Sequence, residues 1–260
     1  MAHSYVRGKF RNREIAAPIV LAKSCHDLDL LLWLADDLPA RVASFGGIGE
    51  FRAERAPEGA PERCTDGCPV QATCPHDAVR FYLDVDERLA GFFPWSDVSA
   101  DPSPEARRKA LATGRYGRCV YRCDNDQPDH QVVAVELAGG ASASFTVQGM
   151  ASQEERTLRI TGSEGELRGA LHQGVLEHAR PGVVRSERFE IAGSMIGHYG
   201  GDEGLLDHFT DVVARGAVDE VLASGRAALA SHLLGFAAEE SRLFGEVVEM
   251  EEWCAALGEG

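Results

Sequence analysis

Between Leu21 and Leu34 the sequence LAKSCHDLDLLLWL sets an ammonium (Lys23), an imidazole (His26) and two carboxylates (Asp27, Asp29) into an otherwise apolar stretch. At about 100° per residue, Lys23, His26, Asp27 and Leu30 share one helix face and Leu28, Leu31 and Leu32 cover the other. A helix that is apolar nearly all round is a buried helix. Unpaired charges cost several kcal/mol to bury, so such groups pair, line a cleft, or do both. An imidazole is the side chain best suited to exchange a proton with a ligand near neutral pH, and its neighbours could tune it. The plainer reading is a Lys23–Asp27 pair at i, i+4 that orients the helix, with His26 and Asp29 adding hydrogen bonds.

A second set of reactive side chains is sulfur-rich. Cys64-Thr65-Asp66-Gly67-Cys68-Pro69 and Cys74-Pro75-His76-Asp77 place three thiols within eleven residues, and Cys119-Val120-Tyr121-Arg122-Cys123 adds two more. Thiolates at short spacings across a long loop suit a closed tetrahedral zinc site that fixes a region with little core of its own. The ligand set read from the spacing is Cys64, Cys68, Cys74 and Cys123, with Cys119 or His76 as alternatives. C-x3-C and C-x5-C differ from the usual C-x2-C knuckle. The same thiols could hold an iron–sulfur cluster, or could simply be small buried hydrophobes. Further on, His198-Tyr199-Gly200-Gly201-Asp202 precedes a helix that Asp202 could cap, with His198 and Asp202 as a possible cleft wall. Thr161-Gly162-Ser163-Glu164-Gly165 reads as a turn between strands.

The elements that must position these groups are read from periodicity. Residues 1–18 are polar and basic and read as an extended arm; the strand Arg41–Phe51 is interrupted by glycines, as at a bulge. Residues 54–130 carry many of the prolines and cysteines and read as an insertion with one or two short helices, such as Pro104–Ala112. Short alternating runs at 132–137, 142–147, 157–160, 166–170 and 174–177 argue for antiparallel strands. Leu205, Leu206, Phe209, Val212 and Val213 form one helical stripe, and a longer helix spans about 224–244 with Leu229, Leu233, Phe236 and Ala237 inward. The expected class is α+β: a large, mostly antiparallel, open-faced sheet with helices on one face, in a single 1–260 domain with an insertion at 54–130. Its other face would suit a homo-oligomer contact.

Composition excludes several classes. The 260 residues carry a formal net charge of -15, with 44% hydrophobic and 26% charged residues. That balance argues against nucleic acid or an anionic membrane surface as partner. No apolar run approaches the ~20 residues of a membrane span, and residues 1–7 have no signal-peptide core, so the reading is cytoplasmic, with thiols or metal ligands rather than disulfides. No G-x-G-x-x-G, Walker loop, G-x-S-x-G or H-E-x-x-H occurs.

Taken in order, Ala22-Lys23-Ser24-Cys25-His26-Asp27-Leu28-Asp29, Arg159-Ile160-Thr161-Gly162-Ser163-Glu164-Gly165, Gly197-His198-Tyr199-Gly200-Gly201-Asp202 and the helix Ser231–Arg242 resemble the C-terminal half of the Gfo/Idh/MocA oxidoreductases. The resemblance covers essentially the whole chain. It implies an NAD(P)-dependent dehydrogenase of a sugar, cyclitol or related polyol, with NAD or NADP held by a Rossmann domain that these residues do not contain, missing or supplied by a partner. It implies that His26 accepts the proton of the oxidised hydroxyl, that Lys23 either polarises the substrate oxygen or holds Asp27, and that Asp27, His198 and Asp202 bind substrate. The family's usual lysine belongs to the Rossmann domain, and its frequent Asp four positions before the histidine is Ala22 in this chain. The chain alone is expected to be inactive. The alternative is a non-catalytic small-molecule-binding or assembly protein that has lost the redox half.

Overall fold

The computed structural model describes residues 1–152, 155–191, 200–217 and 224–258. In chain order the main elements are α1 (Arg13–Ala16), α2 (Ile19–Ala22), α3 (Cys25–Ala35), β1 (Pro39–Gly47), α4 (Ala78–Leu83), α5 (Pro104–Thr113), β2 (His130–Leu137), β3 (Ser142–Gln148), β4 (Thr157–Gly162), β5 (Gly165–Ala170), β6 (Val175–Ala179), β7 (Glu187–Glu190), α6 (Gly201–Arg215), α7 (Gly225–Phe244), β8 (Val248–Glu249) and α8 (Met250–Gly258). The class is α+β and every strand pairing between them is antiparallel, as the alternating runs imply. The sequence reads as one domain; the chain forms two compact units, Met1–Met150 with Gly225–Gly260, and Ala151–Ser224.

The first unit is built on a sheet of order β3-β2-β1-β8. Strand β2 alternates strictly, so Val133, Val135 and Leu137 face inward while Val132, Ala134 and Glu136 face out. The inward residues join Val42 of β1, Leu28 and Leu32 of α3, and Leu234, Ala237 and Ala238 of α7 in the main core. Helix α7 can lie this close because position 235 is glycine: a Cβ there would stand 2.4 Å from Leu21 Cδ2 and 3.3 Å from Leu28 Cδ1. A buried polar link adds register. Ser44 N donates to Ser241 Oγ (2.9 Å), Ser241 Oγ donates to Glu246 O (2.6 Å), and Gln131 Nε2 donates to Ser44 Oγ (3.0 Å).

Four sequence expectations are corrected. Residues 1–18 are not an extended arm: Ala2–Arg7 forms a helical turn with Tyr5, Val6 and Arg7 buried. Ionic contacts then tie down the backbone around Arg11, with Arg11 and Arg118 holding the Asp124 carboxyl at about 2. Lys23 is not in the helix of His26. It ends α2, and the carbonyl of Ser24 accepts from Asp27 N and Leu28 N to start α3 afresh. That helix is amphipathic rather than buried all round, since only Leu28 and Leu32 lie in the core and Trp33 is 65% exposed. In α7 the core face carries Leu234, Ala237 and Ala238, while Leu229 and Phe236 are 57% and 49% exposed. The small residues face the sheet because close approach, not bulk, fills that interface.

The 54–130 region holds two helices with clear stop–start chemistry. Asp77 caps α4 by accepting from Val79 N (3.4 Å) and Arg80 N (2.7 Å), and Ser103 followed by Pro104 opens α5. Cys64, Ala78, Tyr82, Leu111 and Tyr116 form a small core beneath them. In the second unit, β4-β5-β6-β7 make an antiparallel meander and α6 comes after it in the chain, with Val212 buried and Leu205, Leu206, Phe209 and Val213 exposed.

Gly235→Val should destabilise the protein by roughly 1–3 kcal/mol through overpacking against Leu21. Urea unfolding checks it, and an unchanged midpoint would remove Gly235 from its role in docking α7.

Candidate functional site

The break between α2 and α3 turns Lys23 into a cleft of about 220 Å³. Its other walls come from the N-terminal turn and from the 54–130 region: Ser4, Tyr5, Lys9 and Phe10 on one side, Phe93, Asp97 and Tyr116 on the other. Two ammonium groups, a carboxylate and several aromatic rings suit a polyhydroxylated ligand, whose hydroxyls take hydrogen bonds and whose C–H faces stack on rings.

Behind the Asp97 wall lies His3. Its Nδ1 is 2.7 Å from Tyr82 Oη and its Nε2 is 3.4 Å from Asp97 Oδ2, while its ring stacks on Tyr116 at 4.9 Å between centroids. Tyr116 Oη donates to the same Asp97 oxygen at 3.3 Å. Burial lowers the His3 pKa against the opposing pull of Asp97, which favours the neutral imidazole. Burial likewise pushes Tyr82 up, and Tyr5 up to about 12, so both phenols stay protonated hydrogen-bond donors. Asp97, His3 and Tyr82 thus form a hydrogen-bonded line from the cleft wall into the interior.

The sequence-derived candidates separate. Lys23 lines the cleft; His26 and Asp27 do not, lying in the first turn of α3, where His26 is exposed with Nδ1 3.2 Å from Cys25 Sγ. Asp202 is exposed in the first turn of α6, in the second unit, and His198 lies outside the described residues. His3, Tyr5, Lys9, Asp97 and Tyr116 escaped sequence reading. The first three sit in a stretch read as an extended arm, and its interleaved aromatic and basic residues were the available signal.

The thiols also sort themselves. All seven cysteines are free. Cys64, Cys68, Cys74 and Cys119 line one small cavity together with His76. Cys123 is not on its wall: its Sγ donates to Cys119 O at 3.3 Å, and burial pushes its pKa up to about 11. The fourth thiol facing the cavity is therefore Cys119, where spacing favoured Cys123. Among the described residues no group of three or more His, Cys, Asp and Glu stands in an arrangement that could hold a metal ion, so the zinc expected from the spacing is not seen as a formed site. No helix among them is long and apolar enough to cross a membrane.

Residues 4–250 match the family described as the C-terminal alpha/beta domain of an oxidoreductase family, the Gfo/Idh/MocA group. The chain belongs to that family. YteT of Bacillus subtilis (strain 168), whose name classes it as a candidate oxidoreductase, is 23% identical over 219 residues, covering 78% of this chain and 49% of YteT. An oxidoreductase from Agrobacterium radiobacter, solved with NAD+, L-tartaric acid and magnesium, is 14% identical with a TM-score of 0.52, covering 90% of this chain and 50% of its own. The aldose-aldose oxidoreductase of Caulobacter crescentus, solved with glycerol, is 13% identical with a TM-score of 0.52, covering 96% of this chain and 51% of its own. The chain thus spans about half the length of these Gfo/Idh/MocA relatives. At such identities the solved structures establish the fold.

The buried His3 makes a pH-dependent contribution with a definite sign. Its folded pKa lies below the ordinary 6.5, so the unfolded chain binds the extra proton first. Stability is full above that value and is lost as pH falls from it toward the folded pKa. His76, also lowered by burial, shares the sign. Thermal melts across this range should show a falling Tm on acidification and a shallower fall in His3→Gln; equal slopes would contradict the His3 contribution.

Proposed function

We propose that this chain is the substrate-binding half of an NAD(P)-dependent oxidoreductase acting on a sugar, cyclitol or related polyol. The observation that carries the reading is the cleft beside Lys23, lined by ammonium groups and aromatic rings, in a chain of an oxidoreductase family. The residues of this chain do not build a dinucleotide cradle, since no G-x-G-x-x-G occurs in it. NAD or NADP would be held by a Rossmann domain, in the same protein or as a partner, and would supply the hydride acceptor.

What this chain contributes is binding and proton handling. Aromatic walls seat the ligand's apolar faces, Lys9 and Lys23 donate to its oxygens, and an ammonium beside a hydroxyl oxygen stabilises developing negative charge there. His26 stands three residues from Lys23 at the start of α3. In this reading it takes the hydroxyl proton once a bound ligand bridges the rim, because catalytic hydrogen bonds tighten only in the complex. By the family resemblance alone, Asp202 and His198 are also proposed as substrate-binding residues.

The chain supplied with a family Rossmann domain, in cis or as a second protein, should form NAD(P)H from at least one member of a panel of aldoses, cyclitols and their acids. His26→Ala should lower kcat by about 10²–10⁴-fold with little change in Tm, and Lys23→Met should also lower kcat. No turnover with any panel member would favour a non-catalytic binding or assembly protein, and an unchanged rate in His26→Ala would leave that residue as scaffold.

We further propose that the outward face of the β3-β2-β1-β8 sheet meets a second copy of the chain. Phe45 is 71% exposed in register with Val132, and Ala43 faces Ala134, which makes an apolar patch of mostly small side chains beside the Arg41–Glu136 ion pair. Light scattering after size exclusion should show a dimer that Phe45→Glu converts to monomer. A monomeric parent protein would sink the assignment.

A further inference from the structure

The four thiols that share a cavity play no part in the cleft, and the backbone brings them together from three separated stretches. Cys64 N donates to Gly117 O (2.9 Å) and Cys119 N donates to Glu62 O (2.9 Å), an antiparallel clasp between Arg63 and Arg118 that sets Cys64 near Cys119. Gly67, at φ 79°, turns the chain toward Cys68, and Cys74 N donates to Val70 O (2.9 Å), closing the loop that carries the other two. The shared cavity is about 10 Å³.

Arg7 faces the same cavity and is only 2% exposed. Its Nη2 donates to His76 O (2.8 Å) and approaches Cys64 Sγ at 3.6 Å, and its Nε donates to Arg118 O (2.7 Å). Among the described residues no carboxylate forms an ion pair with it. Asp77, also on the cavity wall, has its carboxylate engaged in capping α4. A buried guanidinium needs a counter-charge; besides the Asp77 carboxylate that caps α4, the groups on this cavity wall that can carry it are sulfurs.

We propose that Cys64, Cys68, Cys74 and Cys119 bind a single zinc ion as thiolates in a closed structural centre, with Arg7 offsetting the charge of the tetrathiolate. One zinc ion and four thiolates carry a net charge of about -2, which Arg7 reduces to about -1. The thiols are not yet at ligand geometry, so binding draws the three stretches together, and the four displaced protons leave to solvent. His76 is not needed as a ligand: its ring packs edge-on against Phe51 (5.1 Å).

The full chain, incubated with zinc and dialysed against metal-free buffer, should retain about one equivalent by elemental mass spectrometry. Cys64→Ser and Cys119→Ser should each retain less than about a tenth, while Cys123→Ser and Cys254→Ser retain the full amount. Cobalt loaded into the unmutated chain should give thiolate-to-cobalt charge-transfer bands and tetrahedral ligand-field bands, a readout independent of whether a serine variant folds. Zinc below a tenth of an equivalent in the unmutated chain, absence of the cobalt bands, or full retention in Cys64→Ser overturns the site. Loss in Cys123→Ser overturns the ligand set, and iron with acid-labile sulfide overturns the mononuclear assignment.

Discussion

The close approach of α7 to Leu21 and Leu28 is the constraint on which the first unit depends. With no side chain at Gly235, the helix settles onto the α2–α3 corner, while Ala237 and Ala238 let it lie close over the sheet. Leu21, held in that contact, is two residues from Lys23, so the corner where α2 ends is fixed from behind by core packing. A lysine on a free loop would lose rotamer and backbone freedom on meeting a ligand. A lysine on an anchored corner has already given up the backbone part. The link from Ser241 to Ser44 works in the same direction, since it fixes the register of α7 along β1 by a buried hydrogen bond whose loss would strand polar atoms in the core.

The second organising element is the N-terminal turn. It contributes His3 to the line behind the cleft, Tyr5 and Lys9 to the cleft itself, and Arg7 to the thiol cavity. One short segment thus serves two sites, and it is held both by polar anchors and by Val6, which is fully buried in an apolar cluster with Phe51 and Val120. Both sites gain from its order, and neither can shift without moving backbone that the other uses.

Regular elements were legible because period and capping are local. Strands β1, β2 and β3 of the first sheet, the Pro104 helix and the long helix near residue 225 emerge from alternation, Ser-Pro starts and 3.6-residue stripes, whereas the two-residue β8 is too short to show a period. What escaped was decided by tertiary contact. The basic, polar look of residues 1–18 hides Arg7, which is buried because the backbone carbonyls of His76 and Arg118 receive it from elsewhere in the fold, and Tyr5, whose ring stacks on Phe10. The break after Lys23 has no Gly to mark it. In α7 the stripe placed Ala237 and Leu233 inward, where they lie, but also Leu229 and Phe236, which stay outside because an interface that selects for closeness puts Gly235, Ala237 and Ala238 against the core. For the sulfurs, spacing identified the cluster, but choosing between Cys119 and Cys123 required the direction of each side chain, which C-x3-C does not encode.

The small core under α4 and α5 connects these observations. It contains Cys64 and Tyr116 together with Tyr82, so one packed cluster stands between the thiol cavity and the cleft. Tyr116 lines the cleft and bonds Asp97, while Cys64 lines the cavity and receives Arg7. A region of this size with only two small apolar clusters has little burial to oppose its chain entropy. A bond network that tightened Cys64 would therefore act on more than the loop that carries it. It would hold the backing of the Tyr116–Asp97 wall, and with it the shape of the cleft, through contacts that a close-packed cluster transmits with little give.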